Sequence, residues 1–358
     1  MKKPKVGILG ATGMVGQRFV SLIQNHPWFD IKILAASYRS AGKTFEEAVN
    51  GRWNQDINIS EHIKSIVVLD VAKDIKKITS NVDFVFCAVD MGKNDIKALE
   101  EVYAKSECPV ISNNSAHRFT SDIPMVIPEV NPEHIKIIDS QRKRLRIKKG
   151  FIAVKSNCSV QCFVPAIHPI IDLGVSKILV CTYQAISGAG KTFNTWPEMK
   201  DNIIPYIPGE EEKTEKEPLK IWGNICRNEI VLNKDIDITS QCLRVPVSDG
   251  HTAAVYVKLE KEFSIENIIK KWDNFNSSSA IADLPSAPKR FIHYFSENDR
   301  PQIKSDRNLE NGMGISVGRL REDSQYSIKF VCMSHNTIRG AAGGAVLLAE
   351  LLCKEGYI

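Results

Sequence analysis

KVGILGATGMVG, residues 5–16, is the stretch whose reading decides the fold. Residues 5–9 form a short apolar strand pattern that runs straight into a G-x-x-G-x-x-G turn at Gly10, Gly13 and Gly16. A helical pattern follows, with Val15, Phe19, Leu22 and Ile23 at three- and four-residue spacing, and it ends near Asn25-His26-Pro27. Glycines at this spacing allow a tight turn and let the backbone approach a pyrophosphate. The helix behind them offers its free N–H groups to the same anion. The loop residues Gly10, Thr12, Gly13, Met14, Val15 and Gly16 are therefore the expected floor of a dinucleotide site. The competing reading is a tight strand–helix turn with no ligand.

Working outward, apolar strand patterns recur at 31–37, 65–70, 83–89 and 109–114, with a helical segment at 94–106. Strand–helix alternation with strands apolar throughout predicts a parallel sheet covered on both faces. After residue 150 the strands lengthen and partly alternate (KILVCTYQAI, HTAAVYVKLE, YSIKFVCMS), separated by loops rich in Pro, Gly and Asn. This predicts a second domain built on a mixed or antiparallel sheet. The final segment, 339–356, reads as an amphipathic helix with a small-residue face. The expected division is 1–155 for cofactor and 156–335 for catalysis.

The end of the second strand separates the two nicotinamide cofactors. An NAD enzyme places an acid there for the ribose 2′-hydroxyl, whereas this chain has Ser37-Tyr38-Arg39-Ser40. Arg39 suits a 2′-phosphate, and Ser37 and Ser40 can donate hydrogen bonds to it, so NADP is expected. The chain has 358 residues, 43% hydrophobic and 25% charged, enough for two domains without disulfides. No apolar run of eighteen residues occurs and the start lacks the features of a secretory signal, so a cytoplasmic protein without membrane contact is expected. The net charge of +5 falls to −1 without Arg142, Lys143, Arg144, Arg146, Lys148 and Lys149. So local an excess, with no interleaved aromatics, predicts a solvated loop or edge strand and no nucleic-acid partner.

The nine cysteines are odd in number and irregularly spaced, which argues against a disulfide framework. Cys158, in Ser156-Asn157-Cys158-Ser159, stands where Asn157 or Ser156 would cap a helix running to Gly174, with Pro165 and Pro169 making it kinked or short. A helix start lowers a thiol pKa, which suits a nucleophile; a buried structural thiol is the alternative. His251 precedes an apolar strand and is a candidate proton donor and acceptor, against the plainer reading of a structural histidine. Cys158, Cys162 and His168 hint at zinc, but no second ligand pair supports it and no metal is expected. Residues 185–192 (AISGAGKT) mimic a phosphate-binding loop; Pro197 cuts any following helix short.

Together GATGMVGQRF (10–19 region), SNCS (156–159), TYQAISGAG (182–190), RVPVSDGH (244–251) and NTIRGAAGGAVL (336–347) resemble aspartate-semialdehyde dehydrogenase, in the archaeal and fungal branch, over essentially the whole chain. The resemblance implies a Rossmann-type NADP domain completed by a C-terminal helix at 336–358. It also implies an α+β domain like that of glyceraldehyde-3-phosphate dehydrogenase, carrying catalysis and dimerisation in a homodimer or homotetramer. It implies NADPH-dependent reductive dephosphorylation of aspartyl phosphate, in lysine, threonine, methionine and isoleucine biosynthesis. Cys158 would be the nucleophile, His251 the acid/base and Gln184 the amide orienting the acyl group. Arg244 and Glu217 would grip the substrate's amino-acid end, with Glu210, Glu211 and Glu212 as alternative acids. Arg118, Lys220 and Asn157 would face the phosphate, and Ser187, Gly188, Gly190 and Asn336 the nicotinamide. The segment 141–149 reads as an insertion relative to the family. Malonyl-CoA reductase is the rival activity on the same fold, N-acetyl-glutamyl-phosphate reductase a further relative, and a cofactor-binding regulatory protein the rival from another class.

Overall fold

The computed structural model describes residues 3–55, 57–275 and 281–358. The opening apolar stretch forms β1 (Lys5–Leu9), which lies at the middle of a six-stranded sheet. Its companions are β2 (Asp30–Ala36), β3 (Leu69–Asp70), β4 (Phe84–Cys87), β5 (Val110–Ser112) and β6 (Ile152–Val154). The order is β3-β2-β1-β4-β5-β6 and every pairing is parallel. The strand order reverses between β1 and β4, which opens a crevice beyond their carboxyl ends where Gly10 begins its turn. β3 is shorter than the expected 65–70. Residues 66 and 68 hydrogen-bond instead to the segment around Lys43–Phe45, and Val67 is turned out to solvent.

Helix α1 (Met14–Ile23) starts at Gly13 with no side-chain cap. Gly10 has φ +84, and a Cβ there would lie 2.3 Å from the carbonyl oxygen of Ala88 on the neighbouring strand's exit. At Gly16 a Cβ would come within 2.1 Å of Gly10 O, so the helix packs this closely on the strand only because no side chain intervenes. At Gly13 a Cβ would meet only Gly10 O, at 3.5 Å, and the backbone there is open on its outer side. α2 (Lys93–Lys105) matches the helix expected at 94–106.

The basic segment is half helix and half solvated turn: Arg142, Lys143 and Arg144 end helix α3 (Ile138–Leu145), and Arg146, Lys148 and Lys149 lie in the exposed turn after it. Cations there face the helix's negative end. Arg142 lies over the rings of Phe151 and Tyr357, and Arg144 pairs with Asp122. Glu107 accepts the backbone N–H groups of Lys148, Lys149 and Gly150.

The second sheet contains β7 (Val175–Gln184), β10 (Asp237–Arg244), β11 (His251–Leu259), β12 (Ile292–Phe295), β13 (Ile315–Glu322) and β14 (Ile328–Ser334), with β8 (Asn224–Cys226) and β9 (Glu229–Val231) forming a separate hairpin. Its order is β10-β7-β11-β14-β13-β12. β10 runs parallel to β7 with Arg244 opposite Gln184, and β11 runs antiparallel to β7. Consequently the ends of β7 and β10 and the start of β11 share one edge of the sheet. Helices α4 (Val160–Ile167) and α6 (Ile265–Asn274) cover one face, and α5 (Glu210–Ile221) packs at β10. On the opposite face Leu179, Cys181, Tyr183, Ala254, Tyr256 and Val331 are half-exposed.

The chain ends in a π-turn (Ile338–Ala342) and α7 (Gly343–Lys354). Residues 343–352 of α7 are all buried, so the helix is apolar around its circumference rather than amphipathic. It packs among Val6, Ile8, Phe19 and Val20 of the first sheet and α1, and its buried Glu350 receives His26 at 2.7 Å and the Ser286 N–H at 3.0 Å. All nine cysteines are free. Among the described residues no helix is long and apolar enough to cross a membrane.

The α1–β1 approach yields a stability test. Gly16→Ala forces a methyl group against Gly10 O and should cost about 2 kcal/mol in urea unfolding, together with weaker dinucleotide binding.

Candidate active site

β6 delivers Lys155–Ser159 to the junction of the two sheets. Asn157 Oδ1 accepts the N–H and the hydroxyl of Ser159, both at 2.7 Å, and so fastens the turn before α4. α4 itself begins at Val160, two residues beyond Cys158. It gives way at His168-Pro169 to a 3-10 turn, which stops at Gly174 with φ +74. A proline that lacks an N–H and restricts its neighbour accounts for the change of helix type.

Cys158 Sγ lies 3.3 Å from His251 Nε2. His251 is fully buried, and its Nδ1 accepts the backbone N–H of Ala185 at 3.1 Å. With Nδ1 an acceptor, the neutral ring carries its proton on Nε2, facing the sulfur. Burial, reinforced by the nearby Arg244 guanidinium, drives the imidazole pKa down to about 3. The thiol is pushed up by burial and by Glu210, against the pull of Lys155, Arg118 and Arg244.

A cleft of about 480 Å³ opens over the sulfur. Cys158, Gln184, Arg244, Arg118 and Asn157 all line it, as expected, together with Asn113, Asn114 and Ser115. Arg244 Nη1 donates to Ala185 O at 2.7 Å. Arg118 is anchored by the carbonyls of Lys155 and Asn113 and by Glu217, at 3.1, 3.2 and 2.8 Å.

Glu217 and Lys220 are corrections. Neither reaches the cleft. Glu217 is fully buried beneath it, accepting Arg118 Nη1 at 2.8 Å and the Asn157 N–H at 2.5 Å. Lys220 Nζ donates to the carbonyls of Arg118, Thr120 and Ile123 at 2.7, 2.7 and 2.8 Å. Burial lowers its pKa to about 7. The acid and cation that line the cleft are Glu210 and Lys213. Glu210 accepts from Asn157 Nδ2 at 2.9 Å, Gln184 Nε2 at 3.2 Å and Lys213 Nζ at 3.1 Å. Burial opposes its ionisation, but Lys213 and these donors outweigh it and hold the carboxyl below its ordinary range. E-x-x-K occurs twice on α5, two helical turns apart, so both pairs face the same side at different depths.

The turn Ile186–Ala189 is shared by this cleft and a second one of about 290 Å³, lined by Met14, Arg18, Ser187, Lys191, Thr192 and Thr337 among others. Gly188 is held tight between them: a Cβ would fall 2.8 Å from Arg244 Nη1 and 3.2 Å from His251 Nε2. Gly190 has φ +68 and open surroundings. Asn336 is buried and does not line the second cleft. Its carboxamide accepts the Gly250 N–H at 2.7 Å and donates to Ser187 Oγ at 2.9 Å, so it fixes the turn from behind. Arg18, Lys191 and Thr337 were not expected there; Arg18 is one helical turn after Met14, the spacing that could have found it. No α-helix follows 185–192, so the phosphate-loop likeness is superficial. Cys162 faces His251 O and Cys332, and His168 packs edge-on to Phe275, well apart in function from any common ligand.

Two family models match: semialdehyde dehydrogenase, NAD binding domain, over residues 5–138, and semialdehyde dehydrogenase, dimerisation domain, over 167–339. Aspartate-semialdehyde dehydrogenase of Archaeoglobus fulgidus is 42% identical over 359 residues, covering 99% of each chain, and that of Saccharomyces cerevisiae is 38% identical over 369 residues at the same coverage. The chain belongs to the aspartate-semialdehyde dehydrogenase family. Among solved structures, the Candida albicans aspartate semialdehyde dehydrogenase with NADP superposes with a TM-score of 0.88 at 36% identity, covering 100% of both chains. Aspartate semialdehyde dehydrogenase II of Vibrio cholerae, complexed with ASA, has a TM-score of 0.75 at 27% identity, covering 99% of this chain and 100% of that one.

The residues of the dinucleotide crevice fit NADP. The uncapped start of α1 and the open side of Gly13 suit a pyrophosphate. At the end of β2, Ser37, Tyr38 and Arg39 are exposed while Ser40 is buried, and no acid stands among them. Asp70, on the adjacent strand, is occupied by the N–H groups of Ala72 and Lys73.

The two lysines of α5 separate experimentally. Lys220→Met strands three buried carbonyls and should cost about 3 kcal/mol or more in urea unfolding, whereas Lys213→Met removes one part-exposed partner of Glu210, which keeps Asn157 and Gln184, and should cost less, about 1–2 kcal/mol.

Proposed function

We propose that the protein reduces L-aspartyl-4-phosphate to L-aspartate 4-semialdehyde and phosphate with NADPH, through a thioester on Cys158, as a cytoplasmic biosynthetic enzyme. The observation that carries this reading is the 3.3 Å contact of Cys158 Sγ with His251 Nε2, in one cleft with Arg244 and Glu210. A zwitterionic amino-acid end needs one cation and one anion; Arg244 takes the α-carboxylate and Glu210 the α-ammonium. Arg118 and Lys213, with the Asn113–Ser115 loop, balance the phosphate.

The Cys158 thiolate attacks the acyl carbon, a C–S bond forms, the C–O bond to phosphate breaks, and phosphate departs toward Arg118 and Lys213. Bound NADPH supplies hydride to the resulting thioester. His251 holds a proton on Nε2 beside both sulfur and acyl oxygen, where it stabilises charge on either atom as the C–S bond breaks and the thiolate is released. Gln184, fixed on Glu210, orients the acyl group. Gly13 and the start of α1 carry the pyrophosphate, Ser37 and Arg39 the 2′-phosphate, and Ser187 with Gly188 the nicotinamide side.

In this reading residues 1–155, with 336–358, form the cofactor domain and 156–335 the catalytic and dimerisation domain. The half-exposed apolar face of the second sheet, at Leu179, Tyr183, Tyr256 and Val331, seats a second copy of the chain in a homodimer. Malonyl-CoA reduction is disfavoured by the full-length similarity to aspartate-semialdehyde dehydrogenases.

Incubation with aspartate semialdehyde, phosphate and NADP should generate reduced cofactor; turnover only with malonyl-CoA and NADPH refutes the assignment. Cys158→Ser should abolish activity, and Lys213→Met should raise KM for phosphate by about tenfold or more. Arg39→Ala should weaken NADPH far more than NADH, and equal loss for both removes Arg39 from the 2′-phosphate site. Because the His251 pKa is about 3, it is already neutral over the working range. The rise of kcat/KM with pH should therefore follow thiol ionisation, with no separate limb near the ordinary histidine value.

A further inference from the structure

The wide turn Ile338–Ala342, which joins β14 to α7, packs directly on Cys158. A Cβ on Gly340 would lie 2.8 Å from Cys158 Cβ, 3.1 Å from its Cα and 3.3 Å from its carbonyl oxygen. Those are the three nearest atoms, so the Gly340 backbone forms a wall for this one residue. The Gly340 N–H donates to His335 O at 3.0 Å, a five-residue step, and Ala341 leaves the helical region at φ −142, ψ −106. Such widened turns are rare and recur at functional sites, because they re-aim backbone that a regular helix would hold elsewhere.

Arg339 holds that wall in place. It is fully buried and grips both oxygens of Glu129, with Nη1 at 2.6 Å from Oε1, and its guanidinium lies 4.7 Å from the centre of the Phe291 ring. A forked guanidinium on a carboxylate fixes direction as well as distance. Its Nε reaches Gln161 Oε1 at 3.2 Å. Taking that donor turns the buried Gln161 amide so that Nε2 donates to Ser156 Oγ at 3.0 Å. Ser156 stands two residues before Cys158. One side chain therefore acts on the nucleophile turn from two directions, through Gln161 to Ser156 and through the Gly340 backbone to Cys158. Lys155 Nζ closes the circuit by donating to the carbonyls of Ser156 and Gly340.

We infer that Arg339 and Gly340 are positioning residues for the nucleophile: together they set Cys158 Cβ so that Sγ stands 3.3 Å from His251 Nε2. This rests on Cys158 being the nucleophile. Ordinary carbon contacts lie at about 3.5–4.0 Å, so a methyl group on Gly340 displaces either the wall or Cys158 by roughly half an ångström or more. The wall is bonded to Glu129, Gln161 and His335, and Cys158 is the side that yields. Arg118, Arg244, Glu210 and Lys213 stand on other elements. Ligand binding should thus be spared while the chemical step slows, since the step depends on alignment of the sulfur.

The test uses the full-length protein with aspartate semialdehyde, phosphate and NADP. Gly340→Ala should lower kcat about tenfold or more, with KM for phosphate and for NADP within about twofold of wild type. Gly343→Ala is the packing control. Its methyl group would meet Ile338 Cγ2 and Met313 Sδ, both at 2.8 Å, and its three nearest atoms include none of Cys158. It should lower the urea midpoint yet leave kcat within about twofold of wild type. Wild-type kcat in Gly340→Ala, an equal loss in Gly343→Ala, or a loss carried by KM overturns the inference. Should Gly340→Ala fail to fold, Gln161→Met severs Arg339 from Ser156 and should lower kcat about threefold or more at unchanged KM; wild-type kcat there overturns it equally. Full turnover in Cys158→Ser sinks the nucleophile reading itself, whereas an inactive Cys158→Ser beside a fully active Gly340→Ala sinks the positioning role alone.

Discussion

Everything at the site depends on the pairing register of three strands. β10 is parallel to β7 with Arg244 opposite Gln184, and β11 is antiparallel to β7, so its first residue, His251, returns to the same edge. A slip of one residue in either ladder would turn Gln184, Arg244 or His251 to the other face of the sheet. The register is held by alternation: Ile178, Val180, Thr182 and Gln184 of β7 are buried on the helix-covered side together with Ala253, Val255 and Val257 of β11. Packing of α4 against that face then fixes Cys158 relative to the same edge, since the turn bearing the thiol leads directly into α4. The catalytic geometry is thus a consequence of how an apolar sheet face is covered.

Charge at the junction is organised in two layers. Beneath the cleft, Glu217 joins Arg118 to the Asn157 backbone, and Lys220 closes three carbonyls of the 118–123 loop. Both groups are buried away from the cleft, and their value lies in holding Arg118 and Asn157 rigid. Above them Glu210, Lys213 and Arg244 line the open space. Glu210 links the layers, since one of its oxygens receives both Asn157 and Gln184. A substrate group bound by Glu210 therefore acts on residues whose positions are already determined, which limits reorganisation during the reaction.

Much of this was legible in the sequence. The glycine turn, the apolar strands and the helix at 93–105 follow from local spacing, and Cys158, Gln184, Arg244 and Arg118 do line one cleft, with His251 buried against the sulfur. The failures share a cause. E-x-x-K at 210 and at 217 has the same periodicity on the same helix, and only the tilt of α5 against β10 determines which pair reaches the cleft. Asn336 was expected to touch the ligand but supports Ser187 from behind, because β-strand exit residues can point either way. The 65–70 strand was cut short by pairing with residues 43–45, a contact without local signature. The helical half of the basic segment was missed since its charges mask a helix end held by nearby Phe151 and by Asp122 and Tyr357, which are distant in sequence.

The turn at 186–190 gives the two clefts a common physical state. Its residues bound both cavities, its Ala185 N–H sets which ring nitrogen of His251 carries the proton, and its Ala185 carbonyl holds Arg244. Asn336 ties the same turn to Gly250, the residue before His251. A cofactor that shifts this turn therefore shifts the histidine and the arginine with it, and the crowding at Gly188 leaves little freedom to do so independently. Coupling between cofactor binding and substrate alignment needs no long-range pathway here, since one short backbone segment bonds directly to both. Tight packing at Gly188 is what makes that segment behave as a single body, and the absence of a side chain there is the condition for the nicotinamide side and the thiol side to share it.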